Sequence, residues 1–134
     1  MAARVRVAVV RLNRRLRSQR ADLTVSLTQF SALSCLRKHG PSTPGELATR
    51  EGVRPPSMTK VIATLEQLGY VLRRQHPTDG RQAIVELTAA GTAYLRREIS
   101  LKEAWLDRRL DELTEQERSL LSEAVDIIDR LAKC

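Results

Sequence analysis

Val5, Val9, Leu12 and Leu16 return at intervals of four, three and four residues, one apolar stripe on a helix whose other faces are arginine. A stripe this narrow has to be covered, either by the core or by a second copy of the chain. After Asp22 a Ser- and Thr-rich stretch leads to Thr28, an expected N-cap for a helix whose buried face is Phe30, Leu33 and Leu36 and which ends at His39-Gly40-Pro41. Thr43 then caps a short helix with Pro44 in its first position and Glu46 three residues after the cap, a capping-box spacing; Gly52 stops it. The next helix begins at Arg54-Pro55-Pro56-Ser57, since proline is tolerated in a first turn, and runs to Leu68 before Gly69. Met58, Val61, Ile62, Leu65 and Leu68 fall on one side of it. Pro56, Lys60, Ala63, Thr64 and Gln67 fall near the opposite side, which holds no acid.

The period then changes. Between Gly69 and Gly91 two short strands with alternating apolar positions flank a turn containing Pro77 and Gly80, and the hairpin carries Arg73, Arg74 and Arg81, with Asp79 as the acid at its tip. Thr88 caps a long helical pattern through Tyr94, Leu95, Ile99, Leu101, Trp105, Leu106 and Leu110. Thr114 with Glu117 opens a last helix containing Leu120, Leu121, Val125, Ile128 and Leu131. These last two helices and the first hold more apolar surface than one small three-helix domain can cover. A two-fold dimer, with Val5, Val9, Leu12, Leu16, Leu120, Leu121, Val125 and Ile128 at its interface, is the economical way to bury it.

Composition narrows this picture. At 134 residues the chain is one domain's worth, and 42% hydrophobic with 29% charged residues suits a folded globular protein. The net charge of +7 is uneven: residues 1–102 hold 18 Lys and Arg against 7 Asp and Glu, whereas residues 103–134 hold 5 against 9. The front of the chain is built to face anions, nucleic acid or an anionic membrane. Cys35 and Cys134 have neither zinc-site nor disulfide spacing, so no metal is expected and a reducing, cytosolic setting is the default. The N-terminus has seven Arg and no acid in its first twenty residues, as an organelle transit peptide would, but Arg6 and Arg11 break any secretory core, and the same residues serve better as part of the fold. No segment has the roughly 18 to 20 consecutive apolar residues of a membrane span. Catalytic spacings are missing as well: there is no Ser-His-Asp grouping, no metal-ligand pattern and no Gly-rich phosphate loop, so neither an enzyme nor a cofactor is expected.

Two short helices joined by a tight turn also occur as plain structural corners, and a basic hairpin also serves to keep a sheet edge from aggregating. Placed in succession they read as a winged helix-turn-helix. The polar helix start at Ser57, then Leu65-Glu66-Gln67-Leu68-Gly69-Tyr70, Arg73-Arg74, Pro77-Thr78-Asp79-Gly80-Arg81 and Leu87-Thr88-Ala89-Ala90-Gly91, together resemble the MarR family of winged-helix transcription regulators. The likeness is strongest from about Leu27 to Gly91.

The resemblance implies a mainly α fold with a small β wing: one MarR-type domain over residues 1–134, with 28–91 as the winged helix-turn-helix and 1–22 and 92–134 as dimerisation helices. It implies a homodimer, most relatives acting as repressors, on a pseudo-palindromic site in double-stranded DNA. By residue matching, Ser57, Thr59, Lys60 and Thr64 become major-groove and phosphate candidates, with Arg54 and Pro55 at the helix start. Thr43 offers its hydroxyl and neighbouring N–H groups to phosphate, Arg73 and Arg74 meet the backbone, Arg81 enters the minor groove, and Asp79 holds or orients nearby basic groups. Two departures stand out. Pro55-Pro56 removes donors where polar residues are usual, shifting specificity toward DNA shape, and His76 replaces a common acid, either as a solvated hairpin residue or as a proton sensor. Trp105 either packs in the dimer core or lines a cavity for a small aromatic or phenolic ligand, and Cys35 is either a small core residue or an oxidant sensor. The competing reading is a winged protein-interaction or RNA-associated module without operator recognition.

Overall fold

In the computed structural model, which describes residues 1–20 and 24–132, the chain forms six helices and one hairpin: α1 (Ala2–Ser18), α2 (Leu27–His39), α3 (Pro44–Glu51), α4 (Pro55–Gln67), β1 (Val71–Gln75), β2 (Ala83–Leu87), α5 (Ala89–Leu110) and α6 (Glu115–Ala132). It divides into two compact units, the described residues of Arg20–Ile99 and those of Met1–Gln19 with Ser100–Cys134. The division falls inside α5, because Tyr94, Leu95 and Glu98 are buried with the first unit. That unit therefore extends past the Gly91 limit expected from the sequence. Asp22 and Cys134 lie outside the described residues.

The winged unit is built around Leu33 and Leu36 of α2, Leu47 of α3, Met58, Ile62 and Leu65 of α4, Val71 and Val85 of the hairpin, and Tyr94 and Leu95 of α5. Tyr94 stacks on Tyr70 at 4.8 Å and meets Phe30 edge-on at 6.5 Å, so three of the few aromatic rings in the chain share one spot. A Cβ on Gly91 would lie 2.1 Å from the Tyr70 carbonyl oxygen, which is why a residue without a side chain stands where α5 leaves the hairpin. Gly52, at φ 63°, supplies the left-handed residue that ends α3 and lets the chain turn into α4.

Most helix starts follow their sequence signals. Thr88 Oγ1 accepts from Gly91 N–H at 3.0 Å, and Thr114 with Glu117 forms a reciprocal box. At α3 the box is incomplete: Thr43 Oγ1 accepts from Glu46 N–H at 3.1 Å, but the Glu46 carboxylate takes the Thr43 hydroxyl proton rather than its N–H. The cap of α2 is Ser26, not Thr28. Ser26 and Gln29 bond each other reciprocally, which starts the helix two residues earlier and leaves Thr28 inside its first turn.

The strands pair antiparallel, with Val71 opposite Leu87 and Gln75 opposite Ala83. Burial does not alternate as the pattern suggested: in β1 Val71 alone is buried, and in β2 Ile84 and Val85 are both buried. β2 also has a second backbone neighbour. Ser42, just before α3, exchanges both backbone hydrogen bonds with Val85, so β2 is flanked by β1 and by this one-residue bridge.

In the second unit, α1 has no buried residue. Val5, Val9 and Leu12 are exposed and Leu16 is half-buried; on α6, Leu120, Leu121, Val125 and Ile128 are exposed, Val125 at 54%. No helix among the described residues is long and apolar enough to cross a membrane.

Candidate nucleic-acid interface

The outer face of α4 is polar and open. Arg54, Pro55, Pro56, Ser57, Thr59 and Lys60 are exposed and Thr64 is half-buried. Thr59 donates its hydroxyl to the Pro55 carbonyl at 3.0 Å, and Thr64 does the same to Lys60 at 3.1 Å. With their protons held by the helix, both oxygens present lone pairs outward and are suited to accept from base amino groups rather than to donate. Pro55 and Pro56 occupy the first two positions and have no N–H, and Arg54 gives no side-chain cap. Met58 N–H already bonds the Arg54 carbonyl, so among the described residues the uncommitted amides of this helix start are those of Arg54 and Ser57.

At the α3 terminus the Thr43 hydroxyl is committed in both directions, accepting from Glu46 N–H and donating to the Glu46 carboxylate, and the residue is buried. Pro44 has no N–H, which leaves the Gly45 amide. An open groove of about 890 Å³ runs between this terminus and the start of β2, lined by Thr43, Gly45, Glu46 and Arg50 on one side and Arg81 and Gln82 on the other. Arg50 gave no signal in the sequence, yet it donates to Ser42 Oγ at 2.8 Å and pairs with Glu46 at 3.5 Å, tying α3 to the residue that bridges β2.

The three wing arginines differ. Arg73 Nε lies 3.5 Å from the Glu66 carboxylate on α4, and Arg74 Nε lies 3.3 Å from that of Glu86 across the hairpin. Among the described residues the exposed Arg81 guanidinium makes no hydrogen bond or ion pair. Asp79 does not hold a guanidinium: its carboxylate accepts from the Arg81 backbone N–H at 3.1 Å and from Gln82 Nε2 at 3.4 Å, so it shapes the turn instead. A shallow groove beside the hairpin is lined by Arg73, Arg74 and Arg81 with Gln75 and Gln82.

Cys35 is buried in α2. Burial pushes its thiol up from the ordinary value, the Glu51 carboxylate adds to this, and Arg50 opposes it. Trp105 is half-buried with the Arg109 guanidinium 5.7 Å above its ring, and it does not line the groove of about 400 Å³ formed by Leu110, Arg118, Leu121 and Val125.

The MarR family model matches residues 25–83, the span from two residues before α2 to the first residue of β2. An HTH-type transcriptional regulator of Mycobacterium tuberculosis is 44% identical over 128 residues, 96% of this chain and 90% of its own length. The chain belongs to the MarR family. A mutant MarR of E. coli with serine in place of a cysteine has the same fold, with a TM-score of 0.84, 25% identity and coverage of 96% of this chain and 95% of its own. A MarR family protein of Bacillus stearothermophilus, 20% identical, aligns over 99% and 93% of the two chains with a TM-score of 0.86, a likeness of fold. This MarR-family protein is a DNA-binding transcriptional regulator and not an enzyme. The basic hairpin is the wing of its helix-turn-helix, with α3 and α4 as the helix pair.

Proposed function

We propose that this MarR-family protein acts as a homodimeric repressor that binds a pseudo-palindromic operator through α4 and the wing. The observation that carries the reading is the difference between the wing arginines: two face carboxylates, and Arg81 faces none. An uncompensated guanidinium at the tip of a hairpin beside an acid-free helix face is arranged for a phosphate-lined groove. In this reading Arg81 enters the minor groove and Asp79 holds the turn beneath it. Ser57, Thr59, Lys60 and Thr64 face the major groove and its phosphates, with Arg54 and Pro55 at the edge. Arg73 and Arg74 exchange carboxylate for phosphate. Near Thr43 the phosphate donor is the Gly45 amide rather than the committed hydroxyl.

The whole of residues 1–134 works as one regulatory domain whose outer helices dimerise. The apolar residues left open on α1 and α6, namely Val5, Val9 and Leu12 with Leu120, Leu121, Val125 and Ile128, and the half-buried Leu16, meet their counterparts in a second copy. Two α4 helices then sit about 34 Å apart, one turn of B-DNA, on half-sites about 10 bp centre to centre. Occupying such a site at a promoter, in the cytoplasm, represses it. A small aromatic or phenolic acid is the effector class that suits the family. The groove of Leu110, Leu121 and Val125 offers apolar walls and the Arg118 guanidinium, here 3.7 Å from Asp111. For that acid to act, it must bind the DNA-competent and incompetent states unequally.

Selection of bound duplexes from a random pool tests the reading. An inverted repeat with half-sites about 10 bp apart is expected. A pool with no preferred duplex would favour the second reading, a protein-interaction or RNA-associated winged module, for which the loss of two amides at Pro55-Pro56 speaks.

A further inference from the structure

The turn of the wing hangs on an acceptor that a proton can remove. His76 follows β1, and its Nδ1 accepts from the backbone N–H of Thr78 at 3.2 Å and of Asp79 at 3.0 Å. A backbone N–H can only donate, so Nδ1 carries a lone pair and the ring hydrogen sits on Nε2. Asp79 then accepts from the Arg81 N–H through its carboxylate and from the Gln82 N–H at 3.1 Å through its carbonyl, while the His76 N–H donates to the Gln82 carbonyl at 3.2 Å. The path from ring to Arg81 is thus continuous: imidazole, Asp79 amide, Asp79 carboxylate, Arg81 amide.

We propose that His76 is a positioning residue for DNA binding, holding Arg81 in place through Asp79 only while its imidazole is neutral. The proposal rests on the reading of Arg81 as the groove-entering residue. When solvent delivers a proton to Nδ1, the new N–H points at two backbone donors and can turn only to the Thr78 hydroxyl oxygen, 3.4 Å away; both backbone hydrogen bonds are lost, and the turn has to re-form. Histidine is the side chain generally used to switch charge under mild acidification. The charged groups around the turn are Asp79, engaged as described, Arg81 beyond it, Arg74 paired with Glu86 on β2, and Arg73 paired with Glu66 on α4. Among the described residues the ring's hydrogen-bond partners are Thr78 and Asp79, and no helix contributes one. A bare added charge would strengthen attraction to DNA, whereas loss of the turn weakens binding. The sign of the effect therefore separates the two.

Affinity for the selected duplex is measured by fluorescence anisotropy at constant ionic strength from about pH 7.5 to about pH 5.5, for the native chain, His76→Asn and His76→Phe. Asparagine places Oδ1 where Nδ1 stands and does not titrate. The native chain should lose roughly five- to tenfold in affinity on acidification. His76→Asn should match it at the upper pH and stay level, and His76→Phe should bind weakly throughout. A decline shared by His76→Asn would belong to other groups, such as the exposed His39, and would overturn the proposal, as would tighter binding by the native chain in acid. Nitrogen-15 NMR of the free protein tests the hydrogen bonds without DNA: the Nε2–H tautomer is expected at the upper pH, with the Thr78 and Asp79 amides shifting as the ring titrates, and the Nδ1–H tautomer would overturn the proposal. Unchanged affinity in Arg81→Ala beside an intact ring titration would instead sink the reading of the wing on which this one stands.

Discussion

Arg81 and Cys35 show how little a residue's type says until its neighbours are known. Three arginines in the hairpin look alike in the sequence; in the fold Arg73 and Arg74 have counter-ions and Arg81 has none among the described residues. Arg81→Ala should therefore weaken operator binding by about tenfold or more and reduce the salt slope by about one, with no change in melting temperature because its side chain supports nothing in the fold. Anisotropy titrations at several salt concentrations check this, and an unchanged affinity would remove the guanidinium from the interface. Cys35 is the converse case. Burial and Glu51 together favour its thiol over its thiolate, so at neutral pH it should react with iodoacetamide far more slowly than an unfolded control. The same raised value makes the sign of the pH effect on stability definite. The unfolded chain releases this proton at lower pH than the native one, so the thiol's contribution is present below the ordinary cysteine range and declines as pH rises through the raised value. Urea midpoints of the native chain and Cys35→Ser should converge or cross in that alkaline window; fast labelling of native protein would count against a buried, inert thiol.

Among the elements, the starts of α3, α4, α5 and α6 and the ends of α3 and α4 are legible because each carries a local chemical signal, whether a hydroxyl cap, a first-turn proline or a terminating glycine. The start of α2 was misplaced because Ser26 and Thr28 offer the same hydroxyl, and only the reciprocal bond with Gln29 decides between them. Contacts between elements left no local trace. The Ser42–Val85 bridge, the Arg50 link from α3 to Ser42, and the Glu66 and Glu86 partners of the wing arginines depend on backbone paths that meet only in the fold. The last of these has a functional reading. In the proposed interface a carboxylate 3.3 Å from Arg74 is given up when phosphate takes the guanidinium, and Glu86 would then work against indiscriminate attraction to DNA. Glu86→Gln should raise affinity for random-sequence duplex by about twofold to fivefold, the range expected of an exposed ion pair, while changing operator affinity less. Side-by-side titrations with operator and scrambled duplex measure the ratio, and a ratio that stayed constant would show that the pair plays no part in selectivity.

For the whole molecule, the proposed dimer would make operator binding by the wing depend on the outer helices. α1 and α6 leave aliphatic side chains open over much of their length, Leu131 at 72% and Leu120 at 59%, more than isolated surface residues would account for. Because Leu121 and Val125 are already open to solvent within one chain, Leu121→Asp with Val125→Asp should spare the fold of a single copy and act on the interface between copies. Light scattering should show the molar mass falling to that of one chain, with the circular dichroism spectrum unchanged. The consequence for DNA is larger than for assembly. A dimer joins two half-site contacts without a second loss of translational freedom, so its affinity exceeds that of one half-site by the effective concentration of the second, on the order of 10² to 10⁴. The monomeric variant should lose that factor on a full operator and lose nothing on an isolated half-site. A variant that stayed dimeric, or a monomer that still bound the full repeat tightly, would move the origin of operator affinity out of the paired wings and into one winged unit alone.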